Sequence, residues 1–313
     1  DTELGESSGI DKSKILPAGN ARFDFLTKQG RLYFQDEIKS LKTIFNDFIL
    51  VNDNFAIEHF SSNYQSPIRP YLSKKEADNL NNTRAIIKET GRNDRNKMAD
   101  LVVNMSSRVN NINYIIRPHP VSDPTYWMNK FSKIRNAFTI YKGPVEPWIF
   151  ASRGLISAGC TTALQAAVAC VPVYHLKSTK PRSPDSLASN IGLSISQSSD
   201  FRLLDEKEII QAYEYVSQHI NVKPFASQRI AESLLEESNL IENSASLDKS
   251  SLDRERNLIK PMITSEPKWR ASGINAKQFA DKIERLISAF NLKLPSIKLY
   301  QVLPSVFLIK NAN

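Results

Sequence analysis

Two short stretches carry the residue types needed to act on an anionic group. The first is YIIRPHPV, Tyr114–Val121, where an apolar run ends in Arg117 and a histidine stands between two prolines. Each proline fixes its own φ and restricts the residue before it. His119 is therefore expected to sit rigidly at a strand end, where an imidazole can donate to a phosphate or act as an acid. The second is SAGCTTALQAAVACVPVYH, Ser157–His175. Gly159 lets the backbone approach a ligand closely, and Thr161 and Thr162 bring hydroxyls. A helix opening there points free N–H groups outward from its positive end, a natural place for phosphate. Gln165 follows one turn past Thr161 and can reach a ribose hydroxyl. Neither GxxxxGKS/T nor GxGxxG occurs, which argues against a P-loop and against a dinucleotide-binding enzyme.

Other residues offer weaker chemistry. Asp53, in VNDNF after an apolar run, is a candidate base or nucleophile or else a turn former. GNARFD, Gly19–Asp24, is either a local ion pair or a ligand loop. Trp148 reads as core, His175 as the close of a buried strand, and Cys160 and Cys170 as small buried residues without metal-ligand spacing. Cysteine usage suits a reducing, cytoplasmic compartment. The net charge of +8 suits an anionic partner, but lysines and arginines are interspersed with acids, so a nucleic-acid footprint is not expected. With 41% hydrophobic residues among 313, there is ample material for a core. No apolar run is long enough for a membrane helix, and no signal peptide is visible.

The elements that must position these residues alternate. DFILVN, NYIIRP, AFTIYKG, LIS and VPVYHL read as strands. DPTYWMNKFSKIRN, VEPWIFASRG and ALQAAVAC read as helices between them. Short connections predict an α/β, Rossmann-like parallel sheet with helices on both faces, whose ligands bind beyond the carboxyl ends of its strands. Ahead of it, KILPAGNARFDFL predicts a strand end and a glycine turn, and 73–110 predicts two helices broken near Gly91. After it come amphipathic helices at 203–220 and over INAKQFADKIERLISAF. YQVLPSVFLI is an apolar patch that packs back on the domain or meets a partner or membrane. The expected division is a linker over 1–46, a Rossmann-like domain over 47–222 and a helical extension over 223–313.

GNARFD, FILVNDNF, RPHP, GPVEPWIFASRGLISAGCTTALQAA and VPVYH, in this order, resemble the bacterial surface-carbohydrate biosynthesis proteins, which are similar to Kdo transferases and CDP-glycerol-using transferases. The resemblance covers about 14–175. It implies a GT-B fold whose C-terminal lobe holds a nucleotide donor, with Arg117, His119 and the Gly159–Thr162 loop at the donor phosphate and no metal or separate cofactor. The family pattern carries glutamate where this chain has Gln165, which implies an altered ribose contact. Only 18 residues precede GNARFD, so the expectation is that the acceptor-binding lobe is missing or truncated. The implied activity is transfer from a nucleotide-activated sugar, CMP-Kdo-like, to a polysaccharide or lipid-linked acceptor at the inner face of the membrane. The alternatives are a CDP-glycerol or CDP-ribitol polyol-phosphate transferase and a basic binding module acting through charge alone.

Overall fold

A computed structural model describes residues 15–55, 74–119, 122–140, 143–177, 187–242, 276–292, 297–303 and 306–311. The chain divides into two units, Phe34–Pro224 and a second assembled from Asp1–Tyr33 with Phe225–Asn313. The expected linker up to Tyr33 and the expected C-terminal extension from Phe225 onward therefore share one unit, while 34–46 belong to the other.

In that discontinuous unit, the stretch 15–20 is irregular rather than a strand end, and a 3-10 turn spans Ala21–Leu26. The Asn20 side chain opens this turn by accepting from the Arg22 N–H at 3.0 Å. Helix α1 (Lys28–Tyr33) follows. Asp24 is buried, and its carboxylate accepts from the backbone N–H groups of Ala226 and Ser227, each at 2.9 Å, and from the Ser227 hydroxyl.

The Phe34–Pro224 unit begins with α2 (Gln35–Phe45) and β1 (Phe48–Asn52). Helix α3 spans Lys74–Arg108 without interruption. Gly91 does not break it, because a glycine costs only about 1 kcal/mol in a helix and Met98, Ala99, Val102 and Met105 anchor the following turns in the core. Then come β2 (Asn113–Arg117), α4 (Thr125–Phe131), β3 (Ala137–Thr139), α5 (Glu146–Ala151), β4 (Gly154–Ser157), α6 (Thr162–Val168) and β5 (Val173–Leu176). The sixth strand, β6 (Leu193–Ile195), is three residues long and was not foreseen. Helix α7 (Glu206–His219) closes the unit, its Asp205–Glu208 capping box satisfying the first turn.

All six strands are parallel, in the order β3-β2-β1-β4-β5-β6. This is the doubly wound order, with its topological switch point between β1 and β4. One face, with Ile49, Val51, Tyr114, Ile116, Ile156 and Tyr174, packs on α3 and α4. On the other, Trp148 of α5 lies 6.1 Å from Phe48 and 5.7 Å from Phe45 of α2, ring centre to ring centre.

Within the discontinuous unit, α8 (Ala226–Glu242) receives the Asp24 cap, and the Arg229 guanidinium donates twice to the Ala18 carbonyl, at 2.7 and 3.0 Å. Phe25 packs on Tyr33 of α1 and on Phe290 of α9 (Ala276–Phe290). The apolar stretch with the central proline forms an antiparallel pair, β7 (Ile297–Leu303) and β8 (Val306–Asn311).

Candidate functional site

The loops after β1, β2 and β4 leave the same edge of the sheet, because the three strands are parallel neighbours with β1 in the middle. Register places Arg117, Asn52 and Ser157 in one row, so Arg117 and Ser157 are about 10 Å apart, two strand spacings. Hydrogen bonds tie the three loops together. The Asp53 N–H donates to the Arg117 carbonyl at 3.1 Å, and the Asn54 amide donates to the Gly159 carbonyl at 3.3 Å.

The seven residues expected at the site fall into different roles. His119 is half-buried in the loop after β2, its carbonyl accepting from the Ser122 N–H at 2.7 Å; Pro120 lies outside the described residues. Thr161 is exposed at the start of α6 and makes no side-chain cap hydrogen bond. Thr162 has a buried hydroxyl with no hydrogen-bond partner. Gly159 has φ +73°, and a Cβ there would meet the Ser189 hydroxyl at 2.8 Å. The demand for glycine thus comes from the backbone turn and from Ser189.

Three of the expected residues have protein partners. Asp53 is 2% exposed. One carboxylate oxygen accepts from the Phe55 N–H at 2.5 Å and the other from the Trp127 indole N–H at 2.8 Å. Both oxygens hold the turn and the core. Gln165 is buried and donates to the Glu146 carboxylate at 3.3 Å, a contact between α6 and α5. Arg117 donates to the Gly143 carbonyl at 2.7 Å and lies 5.1 Å from the Trp148 ring centre. Burial pulls its pKa down to about 10, opposed by the charge of Glu146, so it stays a cation at neutral pH. Arg117 therefore fastens the loop before α5.

One cysteine also differs from expectation. Cys160 is buried, but Cys170 is exposed with φ +53°. Its N–H donates to the Ala167 carbonyl and the Val171 N–H to the Ala166 carbonyl, a Schellman end to α6.

Three polar residues at this edge, Glu146, Asn52 and Ser157, were not singled out from the sequence, and His175 was read only as the close of a buried strand. Glu146 is the buried carboxylate joining Arg117 to Gln165. Asn52, Ser157 and His175 continue the row across β1, β4 and β5. The Asn52 Oδ1, Ser157 Oγ and His175 Nδ1 atoms are buried without a hydrogen-bond partner. The signal available was a polar residue closing each apolar run: FILVN, GLIS and VYH.

Fold and site together define a doubly wound α/β protein with a polar edge at its switch point. No protein-family model matches the chain, and no curated protein does. Among solved structures, the chain is similar to the UDP-GlcNAc 2-epimerase of Neisseria meningitidis bound to UDP-GlcNAc, at 15% identity over 75% of this chain and 59% of that one, TM-score 0.42. It is also similar to the Methanocaldococcus jannaschii UDP-GlcNAc 2-epimerase in complex with UDP-GlcNAc and UDP, at 12% identity over 74% and 57%, TM-score 0.42. The wall teichoic acid polymerase TagF aligns at 15% identity over 78% and 57%, TM-score 0.45. The chain thus spans less than two thirds of each of these proteins. Among the described residues, no helix is long and apolar enough to cross a membrane, and no cluster of three His, Cys, Asp or Glu can hold a metal ion.

Proposed function

We propose that the Phe34–Pro224 unit is the donor-binding lobe of a GT-B-type glycosyltransferase that uses a nucleotide-activated sugar, CMP-Kdo-like, in building surface polysaccharide. The observation that carries this reading is the meeting of three loops at the switch point of a parallel sheet, where such folds bind nucleotides. One loop brings the half-buried imidazole of His119. Another opens α6 with Thr161, not used as a side-chain cap, and Thr162, whose hydroxyl has no hydrogen-bond partner.

In this reading, His119 and the hydroxyls of Thr161 and Thr162 donate to the leaving phosphate as negative charge develops on it. The anomeric C–O bond breaks toward the nucleotide while the acceptor hydroxyl attacks. With Asp53 committed to Phe55 and Trp127, the base that takes the acceptor proton comes from another group. The acceptor is a polysaccharide or lipid-linked sugar, met at the inner face of the membrane.

Calorimetric titration with CMP, CDP, UDP and GDP tests the proposal. One nucleotide should bind best, and His119→Ala and Thr161→Ala should each weaken it by about 1–3 kcal/mol, as for a lost hydrogen bond to a charged group. Equal, weak binding of all four, or variants that bind normally, would reject it.

A further inference from the structure

The last polar row of the sheet departs from the rule that strands buried on both faces are apolar throughout. Two residues earlier on the same face, the row is Leu50, Leu155 and Val173, all fully buried. At the carboxyl edge it becomes Asn52, Ser157 and His175. Asn52 is 5% exposed and Ser157 fully buried, and one polar atom of each of the three residues has neither a protein partner nor solvent contact. Buried polar atoms nearly always find partners, and exceptions call for an explanation. Here three exceptions stand side by side on three adjacent strands, and the row includes both strands of the switch point.

We infer that Asn52, Ser157 and His175 form a polar shelf that binds hydroxyl groups of the nucleotide-activated sugar, an inference that rests on the donor-lobe reading above. The chemistry of the shelf favours hydroxyls over phosphate. An amide and a hydroxyl are neutral, each can donate and accept, and burial holds the imidazole toward its neutral form despite the opposing charge of Asp94. The one cation in the row, Arg117, already donates to Gly143. Gln165, the residue expected to read a ribose, is occupied by Glu146, so sugar recognition falls to other groups at this edge. Two hydroxyl-bearing parts of the donor meet this description, the ribose and the transferred sugar.

The experiment compares wild type with Ser157→Ala and Asn52→Leu in the full chain by calorimetry. The probes are the ribonucleotide selected above, its 2′- and 3′-deoxy counterparts, and two sugar–nucleotide pairs, CMP-Kdo against CMP and UDP-GlcNAc against UDP. Wild type should favour the hydroxyl-bearing partner of at least one comparison by about 2- to 10-fold, the worth of one neutral hydrogen bond. Both variants should bring that ratio close to one. Loss of the ribo-over-deoxy preference assigns the shelf to the ribose, and loss of the sugar-over-nucleotide preference assigns it to the transferred sugar. If nucleotides bind but both ratios survive substitution, the shelf inference falls while the donor-lobe reading stands. If wild type binds no nucleotide, both fall. A folding control separates ligand contact from scaffolding: without ligand, Ser157→Ala should melt at or above the wild-type temperature, and a drop of several degrees would overturn the inference.

Discussion

Asp24 and Ser157 are both buried polar residues, one in each unit, and their surroundings are opposite. Asp24 accepts two backbone N–H groups and a hydroxyl at the start of α8. Ser157, with Asn52 and His175 beside it, keeps an unpartnered atom out of water. A buried polar group with every lone pair engaged is part of the scaffold, and removing it leaves its partners orphaned. A group left unengaged lowers stability as it stands and calls for an explanation. Asp53 shows that the distinction holds even one residue along: it follows Asn52 directly, yet both its oxygens are satisfied.

The strongest way to break this contrast is Asp24→Ala. It strips the cap from α8 and orphans two N–H groups, the one on Ala226 buried, at an expected cost of about 2 kcal/mol by urea denaturation. A cost near zero would show that the cap does not matter. Next is Trp127→Phe, which should preserve the stacked Trp127–Phe131 packing but removes the indole donor from the Asp53 carboxylate. A loss of about 1–2 kcal/mol is expected, and no loss would return Asp53 to the list of groups free for chemistry. The smallest effect concerns His175. Burial holds its pKa below the ordinary 6.5, so the unfolded chain takes up this proton more readily than the folded one. Its contribution to stability is therefore full above that value and declines as pH falls through 6.5 and below. The urea midpoint of His175→Gln should drop less between pH 7 and pH 5 than that of wild type. Parallel slopes would place the imidazole in water.

Much of the fold was legible because it is written in local runs. FILVN, NYIIR, GLIS and VYHL are apolar, short and bounded by turn residues, and all became neighbouring parallel strands. Strand β6 escaped because Leu-Ser-Ile is too short to show a period, and α3 was divided in reading because a lone glycine looks like a stop until the core contacts around it are known. Which buried polar groups are satisfied was not legible. The pairing of Asn52 with Ser157 is a property of strand register across more than a hundred residues of chain, and the partner of Gln165 is Glu146, nineteen positions earlier, which folds onto it. Asp24 illustrates the same limit, since its partners lie 202 and 203 residues away.

That separation has a consequence in time. At ribosomal rates of about 5–20 residues per second, roughly 10–40 s elapse between synthesis of Asp24 and synthesis of Ala226. Through that interval the early segment waits with its carboxylate in water, while the parallel sheet is made in full and is free to fold. The discontinuous unit is thus the last to close, and the growing chain carries an unfinished half until the helix that completes it emerges.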